Sequence, residues 1–405
     1  MFVMNEIIER SLCTGCSACM NICPASAIEM VEDEDGFLYP SVDVDECTSC
    51  FLCREVCPSI KEGCLGCSAV SPDTYVAVHK NKDVLSRSSS GGAFVAIAAY
   101  VLNSGGVVCG CAWTKRFEAE HVFVEDDEDL EKLQGSKYVQ SRIGLSYRKA
   151  QEYLNEGRML FFTGTPCQVS GLKFFLRKDY ENLITADLVC HGVPSQAFLK
   201  GYIEYLERKE SANLIAFQFR DKTCGWRLVG EAVFTKNGRV YMKRITPVSS
   251  YYYNYFVNGH IYRESCYSCR YARAARCGDF TLGDYWGVEK YHSDIDARYG
   301  VSLLLVNTNK GRSLLKALSR DLDLTRSDFK KAAANNAQLI KPVAKSSKRD
   351  GIFEAWRVGG AYLVASHYRV SLDERVQSAI KGILPYSVKK KVKGNIEQMT
   401  IQSLS

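Results

Sequence analysis

The residues with the clearest chemistry are cysteines. CTGCSACMNICP from Cys13 and CTSCFLCREVCP from Cys47 both follow C-x2-C-x2-C-x3-C-P, each cysteine recurring 34 positions on. In this spacing three closely set thiolates hold one four-iron cube and the fourth crosses to the other. The first [4Fe-4S] cluster is thus assigned Cys13, Cys16, Cys19 and Cys57, and the second Cys47, Cys50, Cys53 and Cys23. A pair of zinc sites gives no reason for a duplicated tetrad followed by Pro24 and Pro58.

Cys266, Cys269 and Cys277 form a third set, C-x2-C-x7-C, which supplies three ligands and demands a fourth. Cys190 is the first candidate and Cys167 the second. Both follow segments that read as strands, RMLFFTG and NLITADLVC, and should emerge at the edge of a parallel sheet where α/β proteins bind ligands. Zinc held by the same three plus a thiolate or His191 is the rival, separable by iron content. Cys64 and Cys67 fit zinc, a redox pair, an extra cluster or no ligand role. Cys109 and Cys111, two apart in a strand, read as core. Cys224 and Asp284 stand near polar and aromatic residues that could line a pocket, but no catalytic residue is assigned.

Two further segments have composition suited to phosphate. SRSSSGGAF from Ser86 sets hydroxyls and two glycines before an apolar helix, as an N-cap or as a phosphate-binding helix entry. GSKYVQS from Gly135 adds a glycine, a lysine and hydroxyls. No GxGxxG follows a strand and no GxxxxGK[ST] occurs, which lowers the case for NAD and ATP.

The elements that must position these groups follow from hydrophobic periodicity. Strands are expected at TYVAVH from Thr74, GVVCGCAW from Gly106, RMLFFTGT from Arg158, NLITADLVC from Asn182 and SLLLVNT from Ser302, with helices at residues 168–177 and past Val193 and Pro194 to about residue 210. Three further strands are expected near residues 212–220, 227–234 and 239–245. The fold class is α+β: a small ferredoxin-like two-cluster domain, then a larger α/β domain with a mixed sheet, then a helical C-terminal extension. Boundaries are placed at residues 1–70, 71–157, 158–310 and 311–405.

Composition bounds the rest. The 405 residues, 46% hydrophobic and 24% charged, can bury a large core. Eighteen cysteines, mostly at ligand spacing, favour thiolate ligation in a reducing compartment over disulfides. Glu6, Glu9 and Arg10 interrupt any apolar leader, so a cytoplasmic location is expected. The longest apolar run, Ala93–Leu102, falls short of the ~20 residues that span a bilayer. The net charge of +6 would be cancelled by three clusters at roughly −2 each, so no nucleic-acid partner is inferred. Lys389, Lys390, Lys391 and Lys393 read as a solvated tail, with a partner or anionic-membrane contact as the lesser alternative.

Together the ferredoxin module, SSSGG, GSKYVQS, GTPCQ at Gly164, DLVCHGVPS at Asp187, FRDK at Phe219 and CYSC at Cys266 resemble the family of coenzyme F420-reducing hydrogenase/dehydrogenase beta subunits, over roughly residues 10–310. The resemblance implies FAD in the α/β domain, exchanging electrons with nearby [4Fe-4S] clusters. It makes Ser89, Ser90, Gly91 and Gly92 candidates for the FAD pyrophosphate and Ser136, Lys137 and Tyr138 for the flavin side, with Thr165 and Cys167 close by. CLGC at Cys64 and the Cys109/Cys111 pair depart from the family pattern.

The expected function is an iron-sulfur flavoprotein oxidoreductase, with an electron donor or acceptor protein and a small-molecule redox substrate as partners. The alternatives are an electron-transfer adapter in a larger redox complex, without a substrate of its own, and a cluster-stabilised scaffold without flavin. Substrate, direction of electron flow and oligomeric state are not specified.

Overall fold

A computed structural model describes residues 6–61, 71–223 and 225–370. Cys64, Cys67, Cys224 and the lysines at 389–393 lie outside these.

The N-terminal unit is small. A hairpin of β1 (Ile28–Glu32) and β2 (Leu38–Val42) packs with two short helices, Ala18–Ile22 and Leu52–Glu55, each beginning inside a cysteine repeat. This unit is bonded firmly to the larger body. Arg148 donates from Nε to Asn21 O at 2.6 Å and from Nη2 to Cys23 O at 2.6 Å, and Asn21 Nδ2 donates to Gly144 O at 2.8 Å.

The larger body is built on an eight-stranded mixed sheet. Its strands are β3 (Asp73–His79), β4 (Val107–Trp113), β5 (Ala119–Val124), β6 (Leu160–Gly164), β7 (Leu183–Leu188), β11 (Phe280–Asp284), β12 (Ser302–Val306) and β13 (Leu322–Ser327), in the order β13-β3-β12-β11-β7-β6-β4-β5. The central strands β4, β6, β7 and β11 are parallel, and the flanking pairs are antiparallel. Strands buried on both faces have no polar alternation, and β6 (LFFTG) and β12 (SLLLV) are buried at every position. Neighbouring side chains on β6 serve opposite faces. Phe161 packs with the helix Ala93–Leu102, while Phe162 joins Val169 and Leu172 of the helix Pro166–Leu176.

Three remaining strands, β8 (Asn213–Gln218), β9 (Gly230–Lys236) and β10 (Arg239–Ile245), form a separate antiparallel sheet over an aromatic core that includes Phe198, Tyr202, Phe219 and Tyr252. The chain beyond residue 310 holds helices, including Arg349–His367, but also contributes β13, which pairs with β3. The large sheet thus draws strands from both sides of residue 158 and from beyond residue 310. Among the described residues no helix is long and apolar enough to cross a membrane.

Candidate functional site: three cysteine groups and an adjoining cavity

The sulfurs of the first repeat come together with Cys57. Burial pushes the Cys16 thiol up, and Cys57 and Cys13 push it further; the Cys19 thiol is raised by burial and then by Cys16, Cys13 and Cys57. All four line one small cavity. In the second group the Cys53 thiol is raised by burial and by nearby Cys50 and Cys23, and Cys50 is exposed. Cys57 thus stands with the first repeat and Cys23 near Cys50 and Cys53 of the second.

A third group lies where the parallel strands end. The turn after β6 places Thr165 before the helix Pro166–Leu176, where Gln168 Oε1 accepts from Thr165 N at 3.0 Å and Pro166 fits the first turn. Cys167 therefore sits at the strand's C-terminal edge, its Sγ 3.1 Å from Thr165 Oγ1. Cys190 follows β7 at the same edge. A cavity of about 140 Å³ is lined by Cys167, Cys190, Cys266 and Cys269. Burial raises all four thiols, Cys167 to about 11 and Cys266 to about 12, and the neighbouring sulfurs contribute to the rise in Cys167, Cys190 and Cys266.

Cys277, expected as a member of this group, stands behind the cavity, in a core cluster against which Cys167 and Cys269 also pack. Cys277 does not line the cavity; it is 1% exposed in the core with Val169 and Leu172. Asp187 at the end of β7 accounts for its position. Asp187 Oδ2 accepts from Cys277 N at 2.9 Å and Gly278 N at 2.8 Å, while Oδ1 accepts from Arg276 Nη2 at 2.7 Å. Sequence proximity made Cys277 look like the third ligand, but the chain turns inward after Cys269. Both candidates for the remaining position, Cys190 and Cys167, line the cavity.

Buried thiolates that repel one another need shared positive charge, and iron supplies it, so the donors fit four-iron clusters. Among the described residues no three such side chains converge on one point as the ligands of a single ion would. The four cysteines of the third group line a cavity, as a cubane whose four irons each take one thiolate would require.

The first and third groups are neighbours. Cys167 contributes to the raised Cys16 thiol. A Cβ on Gly171 would stand 3.1 Å from Cys16 Cβ and Sγ and 2.9 Å from Tyr147 Oη, so glycine lets the helix bearing Cys167 approach Cys16.

A second cavity, of about 370 Å³, opens beside the third group and shares Thr165, Cys190, His191, Gly192 and Val193 with it. Its walls include Ser89, Ser90, Gly92, Ser136, Lys137, Tyr138 and Thr165, so the two phosphate-like segments and GTPCQ converge here. Ser136 N donates to Ser89 Oγ at 2.7 Å, joining the two segments. Gly91 is not on the wall. A Cβ there would lie 2.2 Å from Ala77 O and 2.3 Å from Ser302 N, so this glycine serves the packing of the loop onto β3 and β12. Gly92, at φ 84°, leads into the helix Ala93–Leu102, whose first turn no side chain of the preceding residue caps. Ser302 Oγ accepts from Gly91 N at 2.9 Å and from Ala93 N at 3.4 Å, so part of this entry is already satisfied within the chain. Ser90 Oγ donates to Val301 O.

Lys137 is half-buried on the cavity wall. Its Nζ donates to Gln134 O at 2.7 Å and Lys132 O at 3.2 Å, and burial lowers it to about 8. Tyr138 stacks on Phe256 at 4.3 Å, and its Oη accepts from Arg220 Nη1 at 3.2 Å. Arg220 pairs with Asp284, which lines the cavity, at 2.6 Å. Gln134 Oε1 and Arg220 Nη2 are buried without a hydrogen-bond partner among the described residues. A cavity of this size, walled by Lys137 and by the two hydroxyl- and glycine-bearing segments, fits a dinucleotide-sized anion such as FAD. Cys111, expected as core, also lines it, whereas Cys109 is core. His121, which the sequence did not single out, holds the floor: its Nε2 donates to Thr163 O at 3.0 Å and its Nδ1 accepts from Ser141 Oγ at 3.1 Å.

Comparison with known proteins agrees with this architecture. Residues 12–60 match a 4Fe-4S dicluster domain. A subunit of the F(420)H(2) dehydrogenase of Methanosarcina mazei is 24% identical over 268 residues, covering 61% of this chain and 70% of that protein. A chain of the F420-reducing [NiFe] hydrogenase complex from Methanosarcina barkeri aligns at 15% identity with a TM-score of 0.43, over 71% of this chain and 94% of that one, too loosely to carry an argument. Residues 74–144 match the N-terminal region, and residues 157–331 the C-terminal region, described for the coenzyme F420 hydrogenase/dehydrogenase beta subunit. This chain is therefore an iron-sulfur protein that belongs to the family of coenzyme F420 hydrogenase/dehydrogenase beta subunits.

Proposed function

We propose that this chain is an iron-sulfur flavoprotein oxidoreductase in which three [4Fe-4S] clusters lead to FAD in the large cavity. The observation that carries this reading is the wall shared between the third cysteine group and the cavity, from Cys190 to Val193. Cys13, Cys16, Cys19 and Cys57 would hold the first cluster and Cys23, Cys47, Cys50 and Cys53 the second. For the third we propose Cys167, Cys190, Cys266 and Cys269, in place of a set containing Cys277.

FAD, when bound, exchanges electrons singly or in pairs and so links one-electron centres to a two-electron organic substrate. The chain's own residues would bind and orient it. The entry of the helix Ala93–Leu102, with Ser89 and Gly92, would face the pyrophosphate; Lys137 and Tyr138 would lie on the flavin side; and Thr165 would stand between flavin and cluster. A docked electron-carrying protein would meet the chain near the exposed Cys50. Membership of a larger redox assembly is a compatible second reading, favoured by the Methanosarcina mazei relative being named as one subunit of a dehydrogenase.

The test is electron delivery. Anaerobic protein should carry flavin that a one-electron donor too large for the cavity reduces through the clusters. Cys167→Ser should retain flavin but slow that reduction by at least tenfold. Equal rates with and without Cys167 would refute the route.

A further inference from the structure

Arg263 is fully buried, with 0% exposure, between the N-terminal unit and the third cysteine group. Its Nε donates to Cys13 O at 2.7 Å and its Nη1 to Gln140 Oε1 at 3.2 Å. Its Nη2 donates to Leu38 O at 2.7 Å and reaches Cys13 Sγ at 3.8 Å. The guanidinium carbon lies 4.2 Å from the centroid of the Tyr39 ring.

A guanidinium stays charged in proteins, and burying a charge costs several kcal/mol unless an opposite charge compensates. The other buried arginines have such partners, Arg220 with Asp284, Arg276 with Asp187 and Arg349 with Glu264. Among the described residues Arg263 has no carboxylate within the 4.0 Å of an ion pair. Asp33 acts on it from further away and uses its carboxylate to accept from Phe37 N at 2.8 Å and Asp35 N at 3.1 Å. Its charged end faces neutral carbonyl and amide oxygens, the Tyr39 ring and one sulfur, that of Cys13.

We propose that Arg263 is a positioning residue whose buried charge compensates the first ferredoxin cluster and raises that cluster's reduction potential. This rests on the cluster assignment given above. A cube with four thiolates carries about −2 when oxidised and about −3 after accepting one electron, so a fixed cation beside it favours the reduced form. The N–H donor aimed at Cys13 Sγ acts in the same direction. The electron comes from a neighbouring cluster and leaves to another; no bond or proton changes at Arg263. Its place between the first and third groups would let it bias the energy of that step.

The experiment is an anaerobic redox titration of the full chain, followed by electron paramagnetic resonance, for wild type, Arg263→Gln and Arg263→Lys. With Gln, one ferredoxin cluster should shift downward by about tenfold in its one-electron equilibrium constant, about 59 mV, while the other stays in place. Lys keeps the charge but not the fork of donors, so its shift should be smaller and of the same sign. Unchanged potentials in iron-replete variants would overturn the proposal, and Arg263→Lys decides alone if Arg263→Gln loses iron. A wild-type protein lacking both ferredoxin signals would instead refute the cluster assignment.

Discussion

Exchanging Cys167 and Cys277 separately for Ala discriminates the proposed third set, Cys167, Cys190, Cys266 and Cys269, from the set expected from the sequence, Cys190, Cys266, Cys269 and Cys277. Cys277 lies in a core with Val169, Leu172 and Tyr271. Deleting its sulfur removes roughly one methylene-sized group from close packing, and transfer plus cavity terms for such a loss come to about 1–2 kcal/mol. The protein should melt a few degrees lower, at about 2–4 °C per kcal/mol for a domain of 150–250 residues, and keep its iron. Cys167→Ala should instead remove one cluster, so that iron falls from about twelve to about eight per chain, at four per cluster. Iron and acid-labile sulfide per chain after anaerobic purification, with thermal melts of the same samples, read both effects. Loss of a third of the iron from Cys277→Ala, with full iron in Cys167→Ala, would refute the assignment.

Three further outcomes concern Lys137, His121 and Gly91. Lys137, lowered to about 8 by burial, is protonated below that pH and neutral above it; FAD affinity should fall as pH rises through 8 in wild type and stay flat in Lys137→Gln, as flavin fluorescence titrations would show. His121 is 7% exposed and lowered by burial from 6.5 to about 4. Its native form binds fewer protons than the unfolded chain between those values, so stability should drop by up to about 3 kcal/mol as pH falls from 6.5 to 4. Urea denaturation should show a smaller drop in His121→Gln, and an equal drop would contradict the assignment. Gly91→Ala should destabilise the large sheet itself, because its Cβ would meet backbone atoms of β3 and β12; soluble expression comparable to wild type would count against this.

Legibility from sequence varied with how local the signal is. The ferredoxin ligands stand out because a four-iron cube demands a fixed spacing, and the hydrophobic runs of β6, β7 and β12 announce a sheet buried on both faces. The segments around Ser89 and Lys137 could be marked, but only the fold shows that Ser136 N bonds Ser89 Oγ. Spacing alone groups Cys277 with Cys266 and Cys269, whereas Cys167 lines the cavity with Cys266 and Cys269 only through the turn after β6. Arg263 carries no sequence signal, since a lone arginine becomes informative only when its burial and lack of a carboxylate are visible. β13 escaped notice because LDLTRS is largely polar and gains strand structure by pairing with β3.

The central claim is that three cluster sites and one flavin site share a single chain. The direct measurement is flavin and iron per chain in anaerobically purified protein. About twelve irons with one FAD, four irons to each cluster, is the predicted result; about eight irons without flavin would contradict it.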